Sequence, residues 1–523
     1  MHEKCTYKCI HLYAICNIYR TPFLLPLTSA SIMSFTLEAF IFSFLPFIFA
    51  LLLLKAYLSS SNSHKHILPS PPMLPLIGNL HQLGSSPHRA LQVMAKTYGP
   101  LMLIRLGVVP ILVASSVDAA REIMKTHDLI FANRPKLRIP SKITYAAKDI
   151  AFSQYGEYWR QVKSIAVLHL LSNKRVQSYR YVREEEVSLM TEKIRRDNKS
   201  VVNLSELLVS LTNNVICRVA LGKRYDGRRF KNLLDRTMAL VGCFSVGSYI
   251  PSLSWVDHLT GLEKKVDEVV KEFDEFLEGV INEHEQKKEV GVEAPDLVDI
   301  LLEIRRDNLT GFHIERDTIK AIIMDVFSAG TDTTSTNLEW AIAELLRHPK
   351  AMKQLQQEAL KIGQGRSMIM EDDLEKMPFL KAVLKETLRL HTPNPLLVPR
   401  ESTQDVKLLG YDVPCGTRVY INAWAIARDP SKWEAPEEFR PERFLNNPID
   451  YKGFHFELIP FGAGRRGCPG IQFAMTINEL FLANLVYKFN FSLTGEEELD
   501  MSEIFGVTVH KKYPILVSAT PRS

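Results

Sequence analysis

The sequence has little of what marks secreted or nucleic-acid-binding proteins. Seven cysteines in 523 residues are too few and too scattered for a disulfide framework, which favours a reducing compartment. The formal net charge of +5 is small for this length, and no basic repeat occurs, so the composition gives no reason to propose nucleic acid as a partner. After Gly78 no Pro-, Gly- or Ser-rich linker and no repeat divides the chain, which predicts one large domain.

An apolar stretch near the N-terminus is the first feature that is present. Ala39 to Leu54 is sixteen residues without a charge, and extension back to Phe35 gives about 30 Å of helix, enough to span a bilayer. Lys55 follows directly, and positive charge after the span favours a cytosolic body with a luminal N-terminus. We therefore predict a transmembrane anchor at residues 33–58. A cleaved signal peptide is the alternative, but no cleavage site follows directly.

The segments on either side of this anchor differ in composition. Residues 1–32 are mixed and without clear period, and we predict that translation begins at Met33 and that residues 1–32 are a non-native N-terminal extension. Residues 59–78 end in a dense run of prolines, which predicts a stiff, extended linker; an ordinary surface loop is the alternative. Residues 79–523 are predicted to form the single large domain.

Helical periodicity dominates the body of the chain, and strand-like runs lie near its two ends. The predicted helices are Ala119–Thr126, Val176–Arg195, Leu262–Glu285, Asp317–Arg347, Pro349–Ile362 and Pro378–Leu390. The predicted strands are Leu101–Leu106, Pro110–Ala114, Val406–Leu409 and Arg418–Ile421. The fold class that follows is mainly α with minor β.

A glycine-rich loop close to the C-terminus, Phe461–Gly470, places Cys468 among four glycines. Glycines allow the backbone to pass close to something flat or bulky, and Pro469 suits the first turn of a following helix. Cys468 is then expected at a helix N-terminus, where the dipole and free N–H groups stabilise a thiolate. Such a thiolate is a ligand for a soft metal centre, of which haem iron is one.

Two other interpretations of this loop remain open on its own residues. Gly462-x-Gly464-x-x-Gly467 fits the dinucleotide-binding fingerprint, with a strand-like run before it and a helix after it. Only about fifty residues follow, however, which is too few for the doubly wound sheet that usually begins with this motif. The second alternative is a structural turn with a buried, inert cysteine.

The long predicted helix contains Ala329-Gly330-Thr331-Asp332-Thr333-Thr334. A glycine and hydroxyl residues in mid-helix are locally unfavourable, and such a break often marks a place where a helix opens to receive a small molecule. An acid beside an alcohol can relay protons. The alternative is a surface helix on which Asp332 is solvated.

Two further pairs carry weaker signals. Glu386 and Arg389 have the i, i+3 spacing of an ion pair on a helix, and Arg443 could complete a buried network with them. Trp159 and Lys163 offer an indole donor and a cation four residues on, a spacing that could clamp a carboxylate of a cofactor. The alternative for the second pair is a core tryptophan with a solvated lysine.

Together these motifs resemble those of the cytochrome P450 family of haem-thiolate monooxygenases. The motifs occur in order and at family spacing: Phe461-x-x-Gly464-x-Arg466-x-Cys468-x-Gly470, Ala329-Gly330-x-Asp332-Thr333-Thr334, Glu386-x-x-Arg389 and Pro441-Glu-Arg443-Phe444. The Pro-rich linker and the run Gly453–Pro460 are further similar to the plant microsomal A-type group, family 71. Within that group, Tyr158–Ser164, Leu171–Arg175 and Arg183–Val187 are similar to psoralen synthase-like enzymes. The resemblance implies the cytochrome P450 fold from about Met33 onward, with one haem-containing domain behind a membrane anchor.

The resemblance also implies roles for individual residues. Haem b would be the cofactor and Cys468 its axial ligand, while Asp332 and Thr333 would deliver protons during the activation of O2. The residues implied to hold the haem are Trp159, Lys163, Arg400, Phe461, Arg466 and Gly470. Lys163 stands where many relatives have arginine, which keeps the charge but loses the fork geometry. Glu386, Arg389 and Arg443 would form a structural network behind the haem loop. The substrate pocket would be lined by Phe327, Ala329, Leu396, Leu397 and Val507.

Partners and location follow from the same resemblance. Because the sequence contains no convincing flavin- or nicotinamide-binding motif, electrons from NADPH are expected through a membrane-bound NADPH–cytochrome reductase. A basic docking face for this reductase would consist of Arg160, Lys163, Lys174, Arg175 and Arg465; solvated charges are the alternative. The expected location is the endoplasmic reticulum membrane, single-pass, with the catalytic domain in the cytosol.

The mainly apolar pocket residues imply a small hydrophobic substrate, such as a terpenoid (including a sesquiterpenoid), a coumarin or another phenolic. Two other functions remain open. One is a haem-thiolate isomerase or dehydratase that needs no reductase, against which the intact Asp332–Thr333 pair argues. The other is a non-catalytic haem-binding protein.

Overall fold

The computed structural model describes residues 68–522 except 197–200, 226, 287–294, 308–310 and 495–497, and before residue 68 it describes only Phe47 and Ala50. The chain divides into two compact units, residues 1–64 and 65–523, and everything below concerns the second. The predicted N-terminal extension (1–32), the predicted anchor (33–58) and the first part of the predicted linker (59–67) lie outside the described residues.

Helices make up most of the second unit. In chain order they are α1 Leu80–Leu83, α2 Pro87–Tyr98, α3 Val117–Arg121, α4 Arg138–Ile143, α5 Glu157–Ile165, α6 Asn173–Ser178, α7 Arg180–Arg196, α8 Leu204–Leu221, α9 Gly227–Val241, α10 Val246–Tyr249, α11 Trp255–Leu259, α12 Leu262–Gln286, α13 Leu297–Asp307, α14 Arg316–Arg347, α15 Pro349–Gly363, α16 Pro378–Leu390, α17 Ala423–Ile426 and α18 Ile471–Lys488. Short 3₁₀ turns lie at Pro251–Leu253, Glu371–Lys376, Pro441–Phe444 and Gly464–Arg466, and π turns at Glu122–Thr126 and Ala166–Leu170.

Within the described residues, the strands form four small sheets. They are β1 Leu101–Leu106, β2 Val109–Ala114, β3 Val202–Asn203, β4 Arg400–Glu401, β5 Val406–Leu408, β6 Tyr411–Val413, β7 Arg418–Ile421, β8 Phe489–Leu493, β9 Glu503–Phe505, β10 Val509–Lys511 and β11 Leu516–Pro521. The largest sheet has the order β1-β2-β7-β4, with β2 and β7 parallel and the other pairs antiparallel. The other sheets are β3-β11-β8, β5-β6 and the hairpin β9-β10.

The centre of the fold is α14, which packs against α8 and α18 in the main hydrophobic core. Gly330 permits close approach there, because a Cβ at this position would come within 2.8 Å of Ile216 Cδ1 on α8. Helix α8 is long and apolar enough to cross a membrane by composition alone, but 61% of it is buried inside the domain. It is therefore a core helix, and its apolar residues on all sides reflect that position.

The predicted fold class, mainly α with minor β, is confirmed. Several helices begin or end at other residues than predicted. The predicted helix Val176–Arg195 is two helices, because the chain breaks at Tyr179, whose hydroxyl donates to Pro295 O (3.0 Å). The predicted helix Ala119–Thr126 begins two residues earlier and ends in a π turn. The expected break around Gly330 is wrong, since α14 is continuous from Arg316 to Arg347.

Candidate active site

The loop Phe461–Gly470 is a tight structure whose backbone holds Cys468 in place. Gly464 has φ +69°, and a Cβ there would lie 2.3 Å from Met124 O, so no other residue fits this approach. The Cys468 N–H donates to Phe461 O (3.0 Å), which closes the loop on itself. Helix α18 begins at Ile471, so Pro469 lies just before the helix rather than in its first turn.

The Cys468 thiol lies in surroundings that disfavour its charged form. Its surface is accessible, yet its pKa is raised because the surrounding protein desolvates the thiolate. The Gly470 N–H, 3.3 Å from Sγ, and the charge of Lys163 both oppose this rise. One N–H donor, that of Gly470, therefore stabilises the thiolate as predicted, but the opposing effect of burial on the pKa is larger. A bound cation would reverse the balance.

Three buried arginines lie close to one another beside the glycine-rich loop. Arg134 donates to the carbonyls of Ala151, Val398 and Pro399 (2.7–2.8 Å). Arg466 donates to those of Ala132, Ile150 and Ser153 (2.6–3.1 Å). Arg400 donates to those of Phe131 (3.4 Å) and Ala463 (2.9 Å).

These guanidinium groups carry more positive charge than their surroundings neutralise. Among the described residues, the carboxylate within 4 Å of any of the three is Asp128, 3.5 Å from Arg400. Burial, and for Arg134 and Arg466 also repulsion from neighbouring arginines, lowers the pKa of each of the three groups. A guanidinium keeps its proton in proteins, so the unfavourable charge persists and a group with carboxylates would relieve it.

Helix α5 contributes two more side chains to this region. Trp159 Nε1 donates to Ile150 O (3.0 Å), and the Arg466 guanidinium lies over the indole ring at 4.2 Å. Lys163 Nζ donates to Gly467 O (2.8 Å), one residue before Cys468, and burial lowers the pKa of Lys163 to about 8. The buried cations and the accessible thiol together fit a flat metal cofactor with acidic side arms, which describes haem b.

Helix α14 contributes the residues predicted for oxygen chemistry. Ala329 is exposed although it lies in the middle of the central helix, and the Thr333 hydroxyl donates to Ala329 O (2.7 Å). The Asp332 carboxylate does not contact this hydroxyl. It accepts from Thr508 Oγ1 (2.6 Å) and pairs with His510 Nε2 (3.1 Å), both on the C-terminal hairpin.

The structure brings together the three residues of the predicted ionic network. Arg389 donates to both oxygens of Glu386 (2.7 and 2.8 Å), and Arg443 Nε donates to Glu386 Oε1 (3.0 Å). Glu386 and Arg389 are fully buried, and Arg443 is mostly buried. The remaining Arg389 donors bind the carbonyls of Ala427, Pro436 and Glu438, so the network fixes the segment that precedes the glycine-rich loop.

The residues predicted to line the substrate pocket lie in different surroundings. Phe327 is fully buried in the main core, whereas Leu397 packs against the cluster around Phe131 and Leu396 against a third cluster. Val507 is half-buried at the end of α9, where a Cβ on Gly242 would come within 2.9 Å of its backbone nitrogen. Phe461 is half-buried against Tyr451, with ring centroids 5.6 Å apart.

The predicted docking residues separate into two groups. Lys163 points inward to Gly467 O, so it cannot belong to a surface patch, which corrects the prediction for this residue. Lys174 is exposed and Arg175 half-buried. Arg160 is exposed beside Glu157 (3.0 Å), and Arg465 is exposed with Nε 3.5 Å from Asp128.

Comparison with known proteins places this site in a family. A sequence model described as cytochrome P450 matches residues 68–518, which is most of the chain. The chain belongs to the cytochrome P450 family. A solved zebra fish cytochrome P450 with abiraterone is similar at 29% identity and a TM-score of 0.72, over 84% of this chain and 100% of that one.

Plant relatives with names from specialised metabolism are more similar. A "3-beta-hydroxylase" from Tanacetum parthenium is 54% identical over 93% of this chain and 99% of the relative. Cytochrome P450 71A4 from Solanum melongena is 55% identical, over 91% and 97%. Psoralen synthase from Ammi majus is 52% identical, over 92% and 98%. The chain is therefore a family-71-like plant cytochrome P450 monooxygenase with a haem-thiolate cofactor.

Sequence reasoning missed two parts of this cytochrome P450 site. Arg134 gives no local signal, since a lone arginine before a proline has many explanations, and only the fold shows it beside Arg400 and Arg466. The pairing of Thr508 and His510 with Asp332 was also missed, because they lie on a hairpin that the sequence analysis did not predict. A motif at fixed spacing identifies residues on one element, but not contacts between distant elements.

Proposed function

We propose that this cytochrome P450 inserts one oxygen atom from O2 into a small hydrophobic plant specialised metabolite. The substrate class is a terpenoid, including a sesquiterpenoid, or a coumarin or other phenolic. The observation that carries this proposal is the similarity above 50% to a "3-beta-hydroxylase" and to a psoralen synthase over nearly their whole lengths. The apolar side chains Ala329, Leu396, Leu397 and Val507 support a hydrophobic substrate.

The residues of the site take distinct roles in this proposal. Cys468 would bind the haem iron through its thiolate, and haem b, when bound, would supply the redox chemistry of oxygen transfer. Trp159, Lys163, Arg400 and Arg466 would hold the acidic side arms of the haem, and Arg134 would join them. Phe461 and Gly470 shape the loop around the thiolate. Asp332 and Thr333 deliver protons, and Glu386, Arg389 and Arg443 keep the loop in place.

Electrons come from NADPH through a membrane-bound NADPH–cytochrome reductase. The proposed docking face consists of Arg160, Lys174, Arg175 and Arg465, which have exposed or half-exposed side chains. Lys174→Glu with Arg175→Glu should slow electron transfer at low salt, because charge reversal weakens attraction to an acidic partner. An unchanged rate at low salt would place the docking face elsewhere.

Contact with membrane lipid is the third part of the proposal, with the chain anchored once in the endoplasmic reticulum membrane and the catalytic domain in the cytosol. Large apolar side chains are exposed on one region of the domain: Met73, Leu74, Leu76, Val108, Phe244, Trp255 and Leu259. Backbone hydrogen bonds from Gly107 to Ile77 and from Val108 to Tyr249 hold much of this region together. An exposed apolar area of this kind is typical of a membrane or partner contact. If intact microsomes are treated with a protease, the domain should be digested, because it would face the cytosolic side.

The deciding experiment is expression in microsomes with and without the reductase, followed by a screen of terpenoid and coumarin substrates. We expect product only with NADPH and the reductase, and the reduced carbon-monoxide difference spectrum of a haem thiolate. Product without the reductase would favour an isomerase or dehydratase, and a normal spectrum with no turnover of any substrate would favour a haem-binding protein. Cys468→Ala that kept the thiolate spectrum would contradict the site.

A further inference from the structure

We propose that His510 is a positioning residue that orients the Asp332 carboxylate and supplies it with protons from solvent. This inference rests on the proposed proton-delivery role of Asp332. It assigns a function to the C-terminal hairpin β9-β10, which brings His510 to the middle of α14.

The carboxylate of Asp332 is fully engaged by the hairpin. Oδ1 lies 3.1 Å from His510 Nε2, and Oδ2 accepts from Thr508 Oγ1 at 2.6 Å. The neighbouring Thr333 hydroxyl donates instead to Ala329 O (2.7 Å), one turn back in the helix. Asp332 therefore takes its orientation from His510 and Thr508, not from Thr333.

The hydrogen count indicates that His510 carries both of its ring protons. Thr508 has one hydroxyl proton, which it donates to Asp332, so at its 2.5 Å contact with His510 Nε2 it accepts. Thr336 likewise donates its proton to Asp332 O (2.7 Å) and accepts at its 2.8 Å contact with His510 Nδ1. Both ring nitrogens are then donors, which describes an imidazolium beside a carboxylate.

The charges that face His510 agree with this protonation state. Asp332 and Glu339 face it from α14 and Asp235 from α9, while Lys511 is its neighbour on β10. Burial lowers the pKa of His510, but the hydrogen bond and charge of Asp332, with the charges of Glu339 and Asp235, raise it above its usual value overall. The side chain is 39% exposed, against 17% for Asp332, so His510 is the member of the pair that water reaches more easily.

This arrangement allows a proton to pass from solvent through His510 to Asp332. The Nε2–H bond of His510 breaks, the proton forms an O–H bond with Asp332 Oδ1, and the neutral imidazole takes a proton back from solvent. Monooxygenation consumes two protons for each O2, because the second oxygen atom leaves as water. A half-exposed imidazolium in contact with the acid is suited to renew that supply near neutral pH.

The first test follows the titration of His510 and does not depend on turnover. In holoenzyme with ¹³C-labelled histidine, the His510 resonance is assigned by its loss in His510→Gln. Asp332→Asn should then lower the pKa of His510 by about one unit or more, because it removes the closest counter-charge. A His510 pKa that is unchanged in Asp332→Asn would overturn the pairing, whatever the enzyme oxidises.

The second test measures coupling of NADPH consumption to product across pH. In the parent protein, product formation should fall on the alkaline side as His510 loses its proton, and peroxide release should rise. His510→Gln should remove that inflection and hold the peroxide-to-product ratio near the parent protein's alkaline value at every pH, whereas His510→Lys should restore part of the coupling. His313→Gln, a change at an exposed histidine, is the matched control.

The outcomes separate this inference from the proposed function. Each variant must first show the carbon-monoxide spectrum of the intact haem thiolate, which reports correct folding. A His510→Gln protein with unchanged coupling and an unchanged pH profile would overturn the role of His510. If no tested substrate is oxidised by the parent protein, the proposed substrate class fails, while the titration experiment still decides the pairing.

Discussion

Replacement of Glu386 by glutamine tests the buried ionic network directly. The carboxylate accepts four hydrogen bonds: two from Arg389, one from Arg443 Nε (3.0 Å) and one from the backbone N–H of Arg440 (2.8 Å). Glutamine has nearly the same shape, but its amide group is a donor and carries no charge. The variant therefore turns an NH₂ group toward a buried guanidinium and removes the counter-charge, with little change in volume.

The expected loss of stability is large because neither partner can reach water. Glu386 and Arg389 are both fully buried, and Arg389 is also held by three carbonyls. Breaking such a pair typically costs roughly 3–5 kcal/mol. At about 1.4 kcal/mol for each factor of ten, this corresponds to a rise of roughly 10²- to 10⁴-fold in the unfolding equilibrium constant.

The chain offers a matched control with the same spacing on the surface. Asp118 and Arg121 are also an i, i+3 pair on a helix, 3.3 Å apart, but their side chains are 74% and 44% exposed. Exposed pairs of this kind contribute about 0–1 kcal/mol. Asp118→Asn should therefore leave stability nearly unchanged.

Urea unfolding of the haem-loaded proteins, followed by far-ultraviolet circular dichroism and by the haem-thiolate spectrum, measures both variants. We expect Glu386→Gln to unfold at much lower urea, or to fail to retain haem, while Asp118→Asn follows the parent protein. If Glu386→Gln stays within about 1 kcal/mol of the parent protein, the network does not stabilise the haem loop and the reasoning from burial is wrong.

Three further predictions follow from single positions. Gly464→Ala should abolish haem retention, measured as the haem-to-protein ratio, since the new Cβ would lie 2.3 Å from Met124 O. Lys163→Gln should lower the same ratio more than Arg160→Gln, because Lys163 binds Gly467 O whereas Arg160 is exposed on the same helix. Asp149→Asn should flatten the pH dependence of stability between about pH 4 and 6. Burial raises the pKa of Asp149 from 3.8 to about 6 in the folded protein, so the stability contributed by its protonated form is lost as pH rises through that range. A urea midpoint that kept the parent protein's pH dependence would contradict the last prediction.

Local signals in the sequence predicted part of the fold with accuracy. Helix Pro378–Leu390 begins and ends where its proline and apolar period indicate, and strand Leu101–Leu106 has its predicted bounds. Helix α8 was missed because it is apolar on all sides and has no amphipathic period to detect. The break at Tyr179 was missed because Tyr179 contacts Pro295, a residue far away in sequence, and helical periodicity carries no information about such contacts.

The candidate site divides in the same way. Cys468 and the Asp332–Thr333 pair were predicted because each motif is continuous in sequence. Arg134 and His510 could not be predicted, because their significance comes from buried charge and hydrogen-bond partners that meet only in the folded chain. The same holds for Lys163, whose inward contact with Gly467 removes it from the predicted surface patch.

The charges around the site link haem binding to folding. In the protein chain alone, burial raises the pKa of the Cys468 thiol, and the Arg134 and Arg466 guanidinium groups lack carboxylate partners among the described residues. At the proposed site, haem would relieve both conditions at once, because it would bring a cation to the thiol and two carboxylates to the arginines. Its binding should therefore stabilise the fold by RT ln(1 + [haem]/Kd).

The variant Arg134→Gln tests this link by comparing how much stability haem binding adds to the variant and to the parent protein. Loss of the hydrogen bonds to Ala151, Val398 and Pro399 weakens the haem-loaded and haem-depleted proteins alike, so this cost cancels between them. Loss of the charge relieves an unfavourable buried charge in the haem-depleted form and removes an attraction to the haem carboxylates in the loaded form, so both effects reduce the gain. The stability gained on haem binding, measured by urea unfolding of both forms, should therefore be smaller in Arg134→Gln than in the parent protein. An equal gain in the two proteins would mean that Arg134 is a clamp for the backbone and not a partner of the haem.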